Sequence, residues 1–410
     1  MKTQFLTPKL KRALAASLSV VIAFLFPLYY GIIDTTSAAM TVMVIATTDT
    51  LGASLAKGFF RVIGTIIGAV IGITLIALFP QERFLYFFFT SLFVFILMYL
   101  ARAFRGDKTI FLLTAMTMMI VFKGGSVDNI YTYAIEKTLL TIIGIIIYTL
   151  VSIYLFPTPA QTQESQKNKW RFMWGDKEDI KGAIISFLVY WSTTLIWIYF
   201  EIPNGYFITI LATSFSLYTT YSIVKPKILI ILFSISFIIA ALSYIFILPH
   251  LNGWWELALF IFVYSFIGFY FINPLISIFY LLGLTTFMIQ NQMFYSIELF
   301  MFILLLFYMF LFILLFFDYF PFNQKSNFMF LQLKDRLLES IKKEKSDTLL
   351  EEIFQKLQIY AKMIDHKYYE TTKEEIESFL QTCQKMIQTK QVQSLQQYQQ
   401  LFLKLQEGRF

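Results

Sequence analysis

The sequence predicts an all-α polytopic membrane protein: about twelve transmembrane helices arranged as two parallel six-helix repeats, followed by a C-terminal cytoplasmic helical domain. Three observations carry that prediction. The 410 residues are 58% hydrophobic and 19% aromatic but only 14% charged, against about 25% charged in an ordinary globular chain. Apolar runs of the length needed to cross a ~30 Å hydrocarbon core, about 17–25 residues, recur along the chain. Charge gathers at the end, where residues 322–410 hold 14 of the 33 Lys/Arg and 12 of the 26 Asp/Glu.

The runs fall at 13–31, 36–54, 62–80, 84–101, 109–123 and 132–156, then at 183–200, 205–222, 228–248, 255–272, 275–290 and 295–317. They divide the chain into a first six-span half (1–157), a cytoplasmic linker (158–182), a second six-span half (183–321) and a tail domain (322–410). The first run follows Lys9-Leu10-Lys11-Arg12 as a signal peptide would. Pro27-Leu28-Tyr29-Tyr30 stands where a small-residue cleavage site belongs, so the span is expected to be retained.

Basic residues near span ends stay on the cytoplasmic side. With the N-terminus inside, 16 of the 19 Lys/Arg before residue 322 face the cytoplasm, and only Arg83, Lys123 and Lys137 face out. The expected location is the inner, cytoplasmic membrane with both termini cytoplasmic. The net charge of +7 follows from this orientation, so nucleic acid is excluded as a partner. A shift of about 169 residues lays Pro80 on Pro249 and Lys57 between Lys225 and Lys227, which is the basis for reading the halves as parallel repeats. In the tail, Leu349, Ile353, Leu357, Tyr360 and Ile364, then Ile376, Leu380, Cys383 and Ile387, recur at helical spacing and predict amphipathic helices.

The composition also removes whole classes of chemistry. One cysteine and two distant histidines, His250 and His366, leave no disulfide and no zinc or haem constellation. No phosphate-binding GxxxxGK[ST] run occurs. No cofactor and no enzymatic activity are expected, and an energy source would be an ion gradient or another subunit.

The second span of each half is interrupted. Residues 38–46 are apolar, but Thr47-Thr48-Asp49-Thr50 follows at once, then Lys57 and Arg61. In the second half 207–212 gives way to Thr213-Ser214-Phe215-Ser216 and Lys225-Pro226-Lys227. Broken spans at matching positions point to a transport site, because polar backbone at depth is tolerated only where it lines a cavity. Asp34 lies 22 residues past Arg12, about 33 Å of helix, and reads as a helix terminus or cap. Asp49 is either a proton relay or a partner of Lys57 at depth, or a cytoplasmic carboxylate beyond an early helix end. Lys57 and Arg61, four apart, either attract a small anion such as a carboxylate, with Thr47, Thr48 and Thr50 donating hydrogen bonds, or anchor the chain by the positive-inside rule. Gly64, Gly68 and Gly72 form GxxxGxxxG, a close-packing face.

The stretch 41–72, TVMVIATTDTLGASLAKGFFRVIGTIIGAVIG, resembles the fusaric acid resistance and aromatic acid exporter family through Lys57, Gly58, Arg61, Gly64, Thr65 and Gly68. It is similar, more distantly, to plant aluminium-activated malate channels. The resemblance implies efflux of aromatic and other small organic acids on the proton gradient, and Asp49 is the first candidate for coupling. The expected partners are a small organic anion, membrane lipid, a periplasmic adaptor protein and a second copy of the chain. The second half lacks the Gly-Thr-x-x-Gly run. Two other readings stay open: a major-facilitator permease, with Gly52 to Arg61 as its loop between spans two and three, and a membrane scaffold or anion channel.

Overall fold

The computed structural model describes residues 7–32, 34–47, 51–104, 108–121, 127–154, 177–221, 226–287, 289, 295–318, 326–342, 347–362 and 366–389. Contacts divide the chain into two compact units, Met1–Asp318 and Tyr319–Phe410.

In the first unit the described helices are α1 (Pro8–Tyr29), α2 (Thr36–Ala46), α3 (Leu51–Leu78), α4 (Arg83–Ala103), α5 (Thr109–Ile120), α6 (Val127–Tyr154), α7 (Lys177–Tyr199), α8 (Tyr206–Tyr221), α9 (Pro226–Phe246), α10 (Trp254–Tyr270), α11 (Pro274–Leu281) and α12 (Ile297–Asp318). Seven of them, α1, α3, α4, α6, α7, α9 and α12, are long and apolar enough to cross a membrane, and the other five are shorter apolar helices. The protein is therefore a multi-pass helical membrane protein. On α9 the exposed residues Ile231, Ile235, Ile238 and Leu242 recur at three and four. Such an unbroken apolar stripe is stable only against hydrocarbon.

Local sequence sets where these helices start. Thr7 caps α1 by accepting from Leu10 N at 3.4 Å, and Pro8 fills the first turn, where its missing N–H costs nothing. At α2 the structure differs from the sequence expectation. The span expected over 36–54 ends at Ala46, and α3 starts at Leu51, eleven residues before the expected third span. Eleven residues rise about 16 Å, half of a hydrocarbon core, so α2 is a half-length helix. Gly52 to Arg61, read from sequence as a loop under the permease alternative, is helical. Likewise α7 begins at Lys177, so residues 177–182 belong to a helix rather than to the linker. There Asp179 and Arg102 are both buried, and a Cβ on Gly182 would overlap the Arg102 guanidinium.

Helix α3 lies against α5 along the glycine run. A Cβ at Gly64, Gly68 or Gly72 would meet the carbonyl oxygens of Ile110, Thr114 or Met118 at 2.6, 2.5 and 2.8 Å, so backbone touches backbone. Helix α1 rests on α10 and α4 on α7; α2 packs on α6, and α8 on α12. In the second half, aromatic rings pack together. Phe233 meets Phe237, Phe279, Phe307 and Phe310 with centroids 5.3 to 6.1 Å apart.

The second unit consists, in its described residues, of α13 (Ser326–Lys342), α14 (Asp347–Lys362) and α15 (His366–Thr389). Each is amphipathic, and Phe330, Leu337, Ile353, Leu357, Ile376, Phe379 and Cys383 are buried. Phe330 and Phe379 stack edge-on at 6.2 Å. Leu350 is buried in α14, while the Leu349 side chain and Ile364 lie outside the described residues.

Candidate functional site

Half-length α2 is flanked by two longer helices that each bring a cation to it. Along α2 the apolar residues Ala38, Ala39, Val42 and Met43 are buried, and so are Ser37 and Thr41. Residues 34, 37 and 41 fall on one helical face. Asp34 stands before the first turn: its Oδ1 accepts from Thr36 N at 3.2 Å, Thr36 Oγ1 at 3.1 Å and Ser37 N at 3.1 Å, and its Oδ2 accepts from Ser37 Oγ. That carboxylate satisfies the open amides of the helix start and opposes the dipole's positive end.

From α3, Arg61 Nη2 donates to Thr41 Oγ1 at 3.4 Å, and Thr41 Oγ1 in turn donates to Ser37 O at 2.9 Å. From α6, Lys137 Nζ donates to Ser37 Oγ at 3.1 Å and stands 6.0 Å from the Tyr133 ring centroid. The approach is made possible by small residues. A Cβ at Gly144 of α6 would meet Ala38 O at 2.5 Å, and one at Gly58 of α3 would meet the Ile145 side chain at 3.1 Å. Gly58, Arg61 and Thr65 share the α3 face turned to α2 and α6, whereas Gly64, Gly68 and Gly72 share the face turned to α5. One helix thus separates its packing stripe from its cationic stripe.

The remaining residues named from sequence are distributed unevenly. Thr47 closes α2, with its hydroxyl returned to Val44 O at 2.7 Å. Thr48, Asp49 and Thr50 lie outside the described residues. Lys57 is half-buried one turn before Arg61. Ser54 donates to Ile45 O at 3.0 Å and ties the start of α3 to the end of α2. In the second half Thr213, Ser214 and Ser216 are buried, with Ser214 bonded to its own helix at Ile210 O, 2.6 Å; Lys227 is exposed and Lys225 lies outside the described residues.

Sequence reasoning missed Ser37, Thr41 and the approach of Lys137. A signal existed: on an otherwise apolar helix, 34, 37 and 41 are polar positions spaced three and four apart. Nothing in the sequence linked that stripe to residue 137, one hundred positions away.

The polar stripe, both cations and the glycine face all lie within one stretch of chain. Residues 8–174 match the fusaric acid resistance protein family. The fusaric acid resistance-like region thus spans α1 to α6 and contains every residue of the α2 cluster, together with Lys57 and Gly64, Gly68 and Gly72. No curated protein and no solved structure matches the chain.

Proposed function

We propose that the protein is an inner-membrane efflux transporter of small, aromatic organic acids, with both termini cytoplasmic and the proton gradient as its energy source. The observation that carries this is the Arg61 guanidinium held against the hydroxyl of Thr41 on a half-length helix inside a membrane bundle. A cation kept at depth is costly, by about 2.5–3.5 kcal/mol or more at a bilayer centre, and is retained where an ion passes or binds. Arg61 and Lys57 would attract the carboxylate, and Thr47, Thr48 and Thr50 would share its hydrogen bonds. Asp49 would couple the proton, and a periplasmic adaptor would continue the route. The family match over the first half supports transport rather than enzymatic chemistry.

The two-repeat layout belongs to the same proposal. Helix α1 packs on α10 and α7 packs on α4, which are the same pair when the chain is shifted by six helices; the α2–α6 and α8–α12 pairs correspond in the same way. The helical state of Gly52 to Arg61 favours this reading over the permease alternative, which needs a loop there.

Purified full-length protein in liposomes, loaded with labelled benzoate or phthalate, tests the function. Flux of both is expected, with Arg61→Gln losing severalfold and losing more for the phthalate dianion than for benzoate, since attraction at fixed distance scales with ligand charge. Absence of flux in the wild type overturns the transport reading; equal loss for the two probes leaves Arg61 as a packing residue.

A further inference from the structure

The α2 cluster contains a second cation that the proposed function does not use. Lys137 reaches Ser37 Oγ at 3.1 Å, and the same hydroxyl donates to Asp34 Oδ2. Arg61 reaches Thr41, one helical turn further along the same stripe. Four residues of rise separate the two hydroxyls by about 6 Å, so both cations serve one short polar track. At the Lys137 end Asp34 already stands.

We propose that Lys137 is a second carboxylate-binding residue of the transport site, and that Asp34 is its built-in competitor, which weakens the hold on a passing organic anion. This rests on the reading of the protein as an organic-anion carrier. An anion that met Lys137 and Arg61 together, with no opposing charge, would be bound too tightly to leave. Conduction requires binding firm enough to enter and weak enough to release. A fixed carboxylate joined to Lys137 through one hydroxyl supplies that weakening.

Asp34 accepts two backbone amides and two hydroxyls. Tyr133 of α6 lies near it and Lys137 of α6 reaches it through Ser37, while Glu136 and Tyr206 lie near Tyr133; Arg61 on α3 meets α2 one turn further along. The neighbouring segment Pro274–Phe287 holds no charged residue.

Among the described residues of the second half, no cation stands at the matching positions: at the shift of 169 residues, Lys137 falls on Leu306 and Arg61 on Ile230.

A double-mutant cycle on Asp34 and Lys137, read by benzoate binding to the full-length protein in nanodiscs, tests this. Asp34→Asn removes the charge and keeps an N-cap, since Asn and Asp cap about equally well; Asp34→Ser provides a second cap without charge. Both are expected to bind benzoate about tenfold more tightly than the wild type, and Lys137→Gln to bind it more weakly. In a Lys137→Gln background Asp34→Asn should no longer tighten binding, because the competitor has nothing left to compete for. Glu136→Gln should leave that coupling in place.

If Asp34→Asn and Asp34→Ser bind as the wild type does and alter only thermal stability, Asp34 is a helix cap and the inference is overturned. Equal tightening with and without Lys137 also overturns it, since the effect is then a general field. Benzoate flux in liposomes separates the two readings. Flux in the wild type without coupling sinks only the competitor role, whereas coupling in binding without any flux sinks only the transporter reading.

Discussion

Arg61 and Lys137 show how a charge is made tolerable in a membrane bundle: each is given a hydroxyl on α2 rather than left to lipid. Thr41 is the hinge of this arrangement, accepting from Arg61 while donating to Ser37 O. Thr41→Val keeps the shape and removes the acceptor, so it should cost about 1–3 kcal/mol of stability and lower transport as Arg61→Gln does; unchanged transport with a lowered melting temperature would assign Thr41 to packing. Asp49→Asn is expected to abolish gradient-driven efflux while counterflow exchange survives, and wild-type export by that variant would remove Asp49 from coupling. In the tail, burial pushes the Cys383 thiol from 9.0 up to about 12. A raised thiol value favours the neutral folded form, so its contribution to stability is complete below about pH 9 and lost as pH rises toward 12. At pH 8 Cys383 should resist maleimide in the native protein and react once urea unfolds the tail; rapid native labelling would show the tail core to be open.

At the scale of the element, the contact between α3 and α5 is fixed by what glycine omits. Gly68→Ala would place a Cβ 2.5 Å from Thr114 O and 2.9 Å from Thr117 Cβ, so one helix must move. Overpacking of this kind costs about 1–3 kcal/mol. Gly52→Ala, on the same helix with nothing within 4 Å, should be neutral or stabilising by up to about 1 kcal/mol. Melting temperatures of the two variants in detergent decide the matter: similar values would mean that α3 and α5 are not in backbone contact. This packing stripe was legible in the sequence because GxxxGxxxG implies close approach whatever the partner. Its partner was not legible, since several neighbouring helices could have offered a smooth face.

The first unit is held by exchanged helix pairs, with α1 of the first half against α10 of the second and α7 of the second against α4 of the first. Residues 1–176 alone should therefore insert poorly and aggregate, and co-expression with 177–410 should restore a stable complex that co-purifies. Stable, monodisperse first halves would place the main interface elsewhere. Orientation is tested with single cysteines at Gln81, Gln163 and Phe410 in a Cys383→Ser background. The proposed topology expects labelling from outside at Gln81 alone, and external labelling at Gln163 would reverse it.

The sequence by itself determined that this is a helical membrane chain with a charged, amphipathic helical tail, because hydrocarbon length and charge exclusion act on local composition, which no distant residue can alter. It also marked the region around Lys57, Arg61 and the interrupted second span. Only the tertiary structure decided where that span ends. Hydropathy assigned the polar residues after Ala46 to the second span and Lys57 and Arg61 to a connection, yet Leu51 to Arg61 winds into α3, where Thr41 of α2 supplies a partner for Arg61. The joining of Asp34, Ser37 and Lys137 was decided the same way. A hydrogen bond between positions 37 and 137 depends on the Gly144 crossing that brings α6 onto α2, and crossing geometry is a property of two surfaces meeting, which neither sequence segment contains alone.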